Sequence, residues 1–181
     1  LKEFAPDLLI TSPGVRPDSA VIQWAEHSGI PIWVDIDLAW RLRDKTERVA
    51  QWFCITGTNG KTTTTQLTTA MLQSGDIRAV AVGNIGTPIL DAIRDPQGFD
   101  ALVVELSSFQ LHYLNGIEPH SSVVLNLADD HLDWHGSMDA YAAAKLGALE
   151  ISEGRREQGL ALLRQGLALL AAELPPLDKS F

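Results

Sequence analysis

The segment from residue 56 to residue 63 has the residue types and spacing of a phosphate-binding loop. It reads Thr-Gly-Thr-Asn-Gly-Lys-Thr-Thr, between an apolar run that predicts a strand and a Thr-rich segment that predicts a helix. Glycines let such a loop turn its N–H groups inward, and the start of a helix favours phosphate. The pattern G-x-x-G-K-T is a shortened form of the usual motif. The alternative interpretation is a helix start with chance glycines.

We predict from this loop a site for the phosphates of ATP. In such loops the lysine reaches the β- and γ-phosphates and the next hydroxyl binds Mg²⁺, and these roles fall here on Lys61 and Thr62. The predicted ATP-binding residues are Gly57, Thr58, Asn59, Gly60, Lys61, Thr62 and Thr63.

Four further polar residues lie where strands or helices are predicted downstream. Glu105 ends an apolar strand, where an α/β sheet binds its ligands, and its carboxylate could hold Mg²⁺. His131 follows another strand among carboxylates, Lys145 lies on a helix, and Asn84 lies in a turn after a strand. The structural alternatives are a solvated strand-end glutamate, a structural histidine, a surface lysine and an ordinary turn. We interpret His112 and His135, which lack such a setting, as structural.

Strands and helices alternate along the chain, which predicts an α/β fold with a parallel sheet covered by helices on both faces. Apolar runs predict strands at residues 7–11, 31–34, 49–56, 77–82, 101–106 and 121–127. Helices are predicted at residues 17–28, 36–43, 61–74, 88–94 and 137–150. The charged run 44–48 is the best candidate for a linker between domains. At residues 158–170 a six-residue segment rich in leucine occurs twice, and this pattern predicts a packing helix.

The composition and net charge of the chain limit the kinds of binding partner that are expected. The 181 residues are 45% hydrophobic and 20% charged, as in a globular protein with a core, and the net charge is −9. This charge disfavours non-specific binding to nucleic acid or anionic lipid. We expect no membrane insertion, because no apolar run approaches the ~20 residues that a span needs. The single Cys54 predicts a reducing, cytoplasmic location and a buried packing role. The chain begins without Met, and we expect it to be an internal start.

These segments together resemble the Mur ligase family of ATP-dependent amino-acid ligases. The resemblance rests on the phosphate loop and on residues 11–15, 35–38, 83–86, 105–111, 130–133 and 141–145. It covers roughly residues 1–150 and implies a central P-loop ATPase-type domain preceded by part of a Rossmann-like domain. The implied division is a partial UDP-substrate domain at 1–46, an incomplete ATP-binding domain at 47–150 and an atypical helical tail at 151–181.

The resemblance points to the branch of the family that adds D-glutamate to UDP-N-acetylmuramoyl-L-alanine in peptidoglycan precursor synthesis. It implies that ATP phosphorylates the substrate carboxylate and that the amine of D-glutamate attacks the acyl phosphate. ATP and Mg²⁺ are the implied cofactors, and the expected oligomeric state is a monomer.

The resemblance also assigns roles to individual residues. The implied catalytic residues are Lys61, His131 and Lys145. The implied substrate-binding residues are Ser12, Pro13, Gly14, Asn84, Ser107 and His131. The implied metal ligands are Thr62, Glu105, His131 and, as a carbamate, Lys145.

The chain also departs from the family pattern. The usual opening strand and its glycine-rich loop are absent, the tail after about residue 150 has no recognisable counterpart, and the third domain is missing. We therefore expect a truncated chain that fails to complete the reaction alone. Two alternatives stay open, a non-catalytic ligand-binding remnant of such a ligase and an unrelated P-loop phosphotransferase.

Overall fold

The computed structural model describes residues 6–46, 48–114 and 116–151. Its elements begin with a small parallel pair of strands, β1 (Leu9–Ile10) and β2 (Ile32–Trp33), joined by helix α1 (Ala20–His27). Helix α2 (Asp35–Leu42) and a single 3₁₀ turn (Arg43–Lys45) follow. The first strand is shorter than the predicted 7–11, because its ladder reaches only from the carbonyl of Pro31 to that of Trp33.

A four-stranded parallel sheet forms the main part of the described chain. Its strands are β3 (Gln51–Thr56), β4 (Ala79–Gly83), β5 (Ala101–Glu105) and β6 (Ser121–Val124), in the order β4-β5-β3-β6. The accompanying helices are α3 (Lys61–Ser74), α4 (Ile89–Ile93), α5 (Ser108–Tyr113), α6 (Leu132–His135) and α7 (Met138–Ile151). Parallel strands covered on both faces read as continuous apolar runs, and every residue of β5 is buried.

The sheet is covered on both faces, as the sequence predicts. Helix α3 packs against β3, β4 and β5 on one face. On the other face Trp52 and Cys54 form a core with Leu102 and Val104 of β5, and α4 and α2 pack over this core. The predicted α/β fold class is confirmed.

The strand ends differ from the predicted ones in one place that matters for the site. The sixth strand was predicted to run to residue 127, yet β6 ends at Val124. Beyond it the chain leaves the sheet and turns across the start of α3, where the backbone and side chain of Asn126 bond to the glycine loop.

Ser137 caps α7, because its Oγ accepts a hydrogen bond from the amide of Ala140 at 3.1 Å. Cys54 is a buried packing residue, and its burial raises the pKa of the thiol to about 12. Within the described ranges, no helix has the length and apolar character that a membrane span requires. The predicted tail helix at 158–170 lies outside the described residues.

Candidate functional site

The glycine loop between β3 and α3 forms a turn that opens onto the first residues of the helix. Gly57 and Gly60 have φ angles of +152° and +81°, which a residue with a side chain rarely adopts. Gly60 is the N-cap of α3 in a left-handed conformation, and Lys61 is its first helical residue. The first N–H groups of a helix have no partner within it, so this turn presents donors and a positive dipole end to an anion.

Lys61 folds back over the loop that precedes it. Its Nζ donates hydrogen bonds of 2.9 Å to the carbonyl oxygens of both Gly57 and Thr58. The ammonium group is therefore held on the loop, next to the helix start. This is the position in which a lysine can meet a phosphate bound by the same turn.

Lys145 reaches the same loop from α7 and is 1% exposed. Its Nζ lies 3.0 Å from the carbonyl oxygen of Gly57 and 3.3 Å from Oγ1 of Thr56. Burial and, to a smaller extent, the positive charge of Lys61 lower the pKa of Lys145 to about 8, and the negative charge of Asp130 opposes the shift. The alternative of an ordinary surface lysine is therefore wrong.

Glu105 is a buried carboxylate at the carboxyl end of β5, 1% exposed. Its Oε2 accepts a 2.9 Å hydrogen bond from the hydroxyl of Thr62, and its Oε1 accepts one of 2.9 Å from the side chain of Asn84. The adjacent strands β4 and β5 place Asn84 there, since its amide also bonds to the carbonyl of Glu105. The alternative of a solvated strand-end glutamate is excluded by this burial.

The segment 125–128, directly after β6, packs on the outside of the glycine loop. The carbonyl oxygen of Asn126 accepts from the amide of Thr58 at 3.1 Å. The Asn126 side chain bonds to both backbone groups of Asn59, accepting from its N–H at 2.9 Å and donating to its carbonyl at 3.0 Å. The hydroxyl of Thr58 lies 2.9 Å from that of Tyr141. Sequence reasoning missed both contacts, although Asn126 lies near the end of a predicted strand, as Glu105 does.

His131 lies further along the same segment, in a left-handed backbone conformation with φ +51°. Its Nε2 is 3.5 Å from Asp130 Oδ2, and its ring centroid is 4.7 Å from that of Phe109. The contacts that define its surroundings are thus with an acidic neighbour and an aromatic ring. Among the predicted metal and substrate residues, Thr62, Glu105 and Asn84 are joined by direct side-chain hydrogen bonds.

The two histidines interpreted as structural lie in an aromatic cluster. His135 packs against Phe109, Trp134 and Tyr141, and His112 packs against Trp134. Burial lowers the pKa of both rings, that of His135 to about 4. This packing agrees with the structural interpretation.

The remaining predicted substrate residues lie at two other loop positions. Ser12 accepts at its carbonyl from Val15 in a turn, and the carbonyl of Val15 accepts from the Tyr113 hydroxyl at 2.7 Å. That contact ties the 12–14 turn to α5. Ser107 is the N-cap of α5, and its Oγ accepts from the amide of Gln110 at 3.2 Å.

The donor set at Glu105 fits a magnesium ion that ATP phosphates would share. A carboxylate and a hydroxyl are hard oxygen ligands, and Mg²⁺ bound with phosphates needs only one or two such protein groups. A buried carboxylate with only neutral donors is costly, so a cation beside Thr62 and Glu105 would stabilise it. Among the described residues, no three His, Cys, Asp or Glu side chains group closely enough to form a metal cage.

The parallel sheet, the glycine loop and the helix that follows it define a nucleotide-binding domain of the P-loop class. Residues 55–165 match the model of the Mur ligase middle domain. The chain belongs to the Mur ligase family.

Known proteins similar to the chain include two bacterial ligases. UDP-N-acetylmuramoylalanine--D-glutamate ligase of Leifsonia xyli subsp. xyli is 56% identical over 161 residues, covering 83% of this chain and 31% of that protein. The protein of the same name from Nocardia farcinica is 56% identical over 152 residues, covering 82% of this chain and 31% of its own length. The chain thus spans about a third of the length of the curated relatives it matches.

The solved structures that the chain resembles include a UDP-N-acetylmuramoyl-L-alanyl-D-glutamate--2,6-diaminopimelate ligase. That structure is 28% identical, covers 64% of this chain and 29% of its own chain, and has a TM-score of 0.48.

Proposed function

We propose that this chain provides the nucleotide-binding part of an ATP-dependent ligase that adds D-glutamate to UDP-N-acetylmuramoyl-L-alanine in the cytoplasm, during peptidoglycan precursor synthesis. The observation that carries the proposal is the convergence of Lys61, Thr62 and Glu105 at the glycine loop. The amino-acid and sugar-nucleotide specificity is supported by the 56% identity to ligases of that name.

The glycine loop and the polar side chains around it have separate roles in this proposal. The loop N–H groups and Lys61 bind the β- and γ-phosphates of ATP and stabilise the charge on the transferring phosphoryl group. Thr62 and Glu105 hold Mg²⁺, which screens the repulsion between ATP and the substrate carboxylate. Asn84 positions Glu105 through its 2.9 Å hydrogen bond and is a proposed contact of the sugar-nucleotide substrate. The product of phosphoryl transfer is an acyl phosphate, which the amine of D-glutamate attacks.

Lys145 is proposed to carry a carbamate. The ammonium group first loses a proton, and the neutral amine then adds CO₂ and releases a second proton, which leaves a carbamate anion where the cation was. Its burial and its pKa of about 8 favour the neutral form that this addition needs. His131 is proposed to support the second magnesium site and the sugar-nucleotide substrate. Ser12, Pro13, Gly14 and Ser107 are proposed substrate contacts.

The domain division at 1–46, 47–150 and 151–181 and the monomeric state complete the proposal. The short sheet of β1 and β2 precedes the proposed boundary, and the four-stranded sheet follows it. Since the relatives are about three times longer than the matched part, further residues that bind the amino acid are expected outside this chain.

The first test is the affinity of the chain for MgATP, with Lys61→Ala and with Lys45→Ala as a matched control on an exposed lysine. Loss of binding in Lys61→Ala alone supports the phosphate site, and equal binding by both variants contradicts it.

The second test is phosphate release from ATP after addition of UDP-N-acetylmuramoyl-L-alanine, with and without D-glutamate. Release that requires both substrates supports the ligase. Binding without release supports a non-catalytic remnant of such a ligase, the second candidate. Release with other acceptors supports a different phosphotransferase.

A further inference from the structure

The conformation of the glycine loop depends on a residue that lies 67 positions away in the sequence. Asn59, at the tip of the loop, bonds through both its N–H and its carbonyl to the side-chain amide of Asn126, at 2.9 and 3.0 Å. An asparagine side chain offers one acceptor and two donors in a plane, so it can pair with a peptide unit as a neighbouring strand does. We refer to this pair of bonds as the Asn126 clamp.

The backbone of residues 125 and 126 also contacts the glycine loop. The carbonyl of Asn126 accepts from the amide of Thr58 at 3.1 Å. A Cβ added at Gly57 would lie 3.1 Å from Cβ of Leu125 and 3.3 Å from the amide of Asn126. The loop therefore has a wall along one side from its first glycine to its tip, and Asn126 is the residue of that wall that bonds to the loop by side chain and backbone together.

The clamp directs the loop rather than supporting the core. Asn59 and Asn126 are both exposed to solvent, and hydrogen bonds at exposed positions contribute little to global stability. Their effect is on the turn itself. Because the N–H and the carbonyl of Asn59 are both held, the φ and ψ angles of this residue are restricted. The following residues, Gly60 and Lys61, carry the helix start on which phosphate would bind.

We propose that Asn126 is a positioning residue that holds the loop in the shape required to bind the phosphates of a nucleoside triphosphate. The inference rests on the proposed function, since it assumes that the loop binds phosphate. Asn126 acts through Asn59 and Thr58 and does not itself touch the ligand. Loss of the clamp leaves the chain folded and lets the loop adopt other turns, so the binding-competent shape is less populated.

The test compares Asn126→Ala with Gln73→Ala in the full chain. Gln73 is also exposed and also uses a side-chain amide to hold a backbone carbonyl, that of Ala79 at 2.9 Å, at the far end of α3. Thermal stability and the Kd values for MgATP and for adenosine are measured for each. We expect the two variants to lose similar, small amounts of stability, and only Asn126→Ala to bind MgATP about tenfold more weakly, with adenosine binding unchanged.

Several results would overturn the inference. If Asn126→Ala binds MgATP as tightly as the unaltered chain does, the role of Asn126 is contradicted and the proposed function is not. An equal loss of MgATP affinity in Gln73→Ala has the same meaning. Failure of the unaltered chain to bind MgATP contradicts the proposed function, and the inference with it. Where Asn126→Ala does not fold, Asn126→Ser replaces it, because a serine stays hydrated but is too short to reach both backbone groups of Asn59, and the same loss is expected.

Discussion

Lys61 and Lys145 donate hydrogen bonds to the same backbone oxygen, that of Gly57, at 2.9 and 3.0 Å. Lys61 is the first residue of the helix after the loop, and Lys145 lies in α7, far away in the sequence. Two ammonium groups on one carbonyl repel each other, so the more buried one loses its proton more easily. The positive charge of Lys61 is accordingly one cause of the lowered pKa of Lys145.

The first prediction concerns the chemistry of this lowered pKa. With a pKa of about 8, a substantial fraction of Lys145 is the neutral amine at mildly alkaline pH and can add CO₂. ¹³C NMR of the chain in labelled bicarbonate is expected to show a carbamate signal that disappears in Lys145→Met and persists in Lys45→Met. A signal that survives Lys145→Met would contradict the assignment.

The second prediction concerns the magnesium site. Glu105→Gln keeps the shape of the side chain and removes its charge, so the affinity for ATP should no longer increase when Mg²⁺ is added. We expect a loss of about tenfold or more in MgATP affinity. Glu26→Gln, on the outer surface of α1, is the matched control and should bind as the unaltered chain does. Isothermal titration with and without Mg²⁺ measures both, and an unchanged Mg²⁺ effect in Glu105→Gln would disprove the role.

The third prediction concerns acid stability. The two ring nitrogens of the half-buried His135 are shielded from solvent and have no hydrogen-bond partner among the described residues, and burial is the main cause that lowers the pKa of this ring to about 4 from an ordinary 6.5. The unfolded chain therefore binds a proton at a higher pH than the folded chain. The free energy of unfolding should fall as the pH drops from about 6.5 towards 4 and lose no more from this group below that.

The variant that checks this behaviour is His135→Phe, which keeps an aromatic ring against Phe109 and Trp134. Urea denaturation at a series of pH values should show a shallower acid-side decline in the variant. The remaining decline comes in part from His112, whose pKa is lowered by burial in the same direction. Parallel curves for the two proteins would exclude His135 as the cause.

The fourth prediction uses the turn that carries Asn84. Gly83 has φ +95°, and a Cβ there would lie 2.4 Å from the backbone oxygen of Glu105. Gly83→Ala must therefore displace the ends of β4 and β5, and we expect a loss of about 2–4 kcal/mol in unfolding free energy. Gly14→Ala is the control, since nothing lies within 4 Å of its added Cβ. Similar stabilities for the two variants in chemical denaturation would contradict this account.

The sequence predicts the parts of the site that local pattern determines. The glycine loop is a contiguous motif, and Glu105 is recognisable because it ends an apolar strand, where parallel sheets bind ligands. Burial of Lys145 depends on how α7 packs against α5 and β6, which the residues around Lys145 in the sequence do not reveal. The contact between Asn126 and Asn59 depends on β6 lying beside β3, and strand order is a non-local property that one sequence does not reveal.

The surroundings of His131 are also not evident from the sequence. Its acidic neighbours predict a ligand site, which stays a prediction, and the structure adds a left-handed turn and a contact between its ring and Phe109 of α5. A helix start after a positive φ redirects the side chain in a way that spacing alone does not indicate.

The wall that 125–128 forms along the glycine loop has a consequence for how the protein is made. A ribosome releases the chain from its first residue onward, so all of the loop and α3 emerge well before Asn126 does. A nascent chain ending at residue 110 contains every phosphate-binding residue and lacks the partner that shapes them. The proposal that Asn126 shapes the loop therefore implies that nucleotide binds at full affinity only after most of this part of the polypeptide has been synthesised.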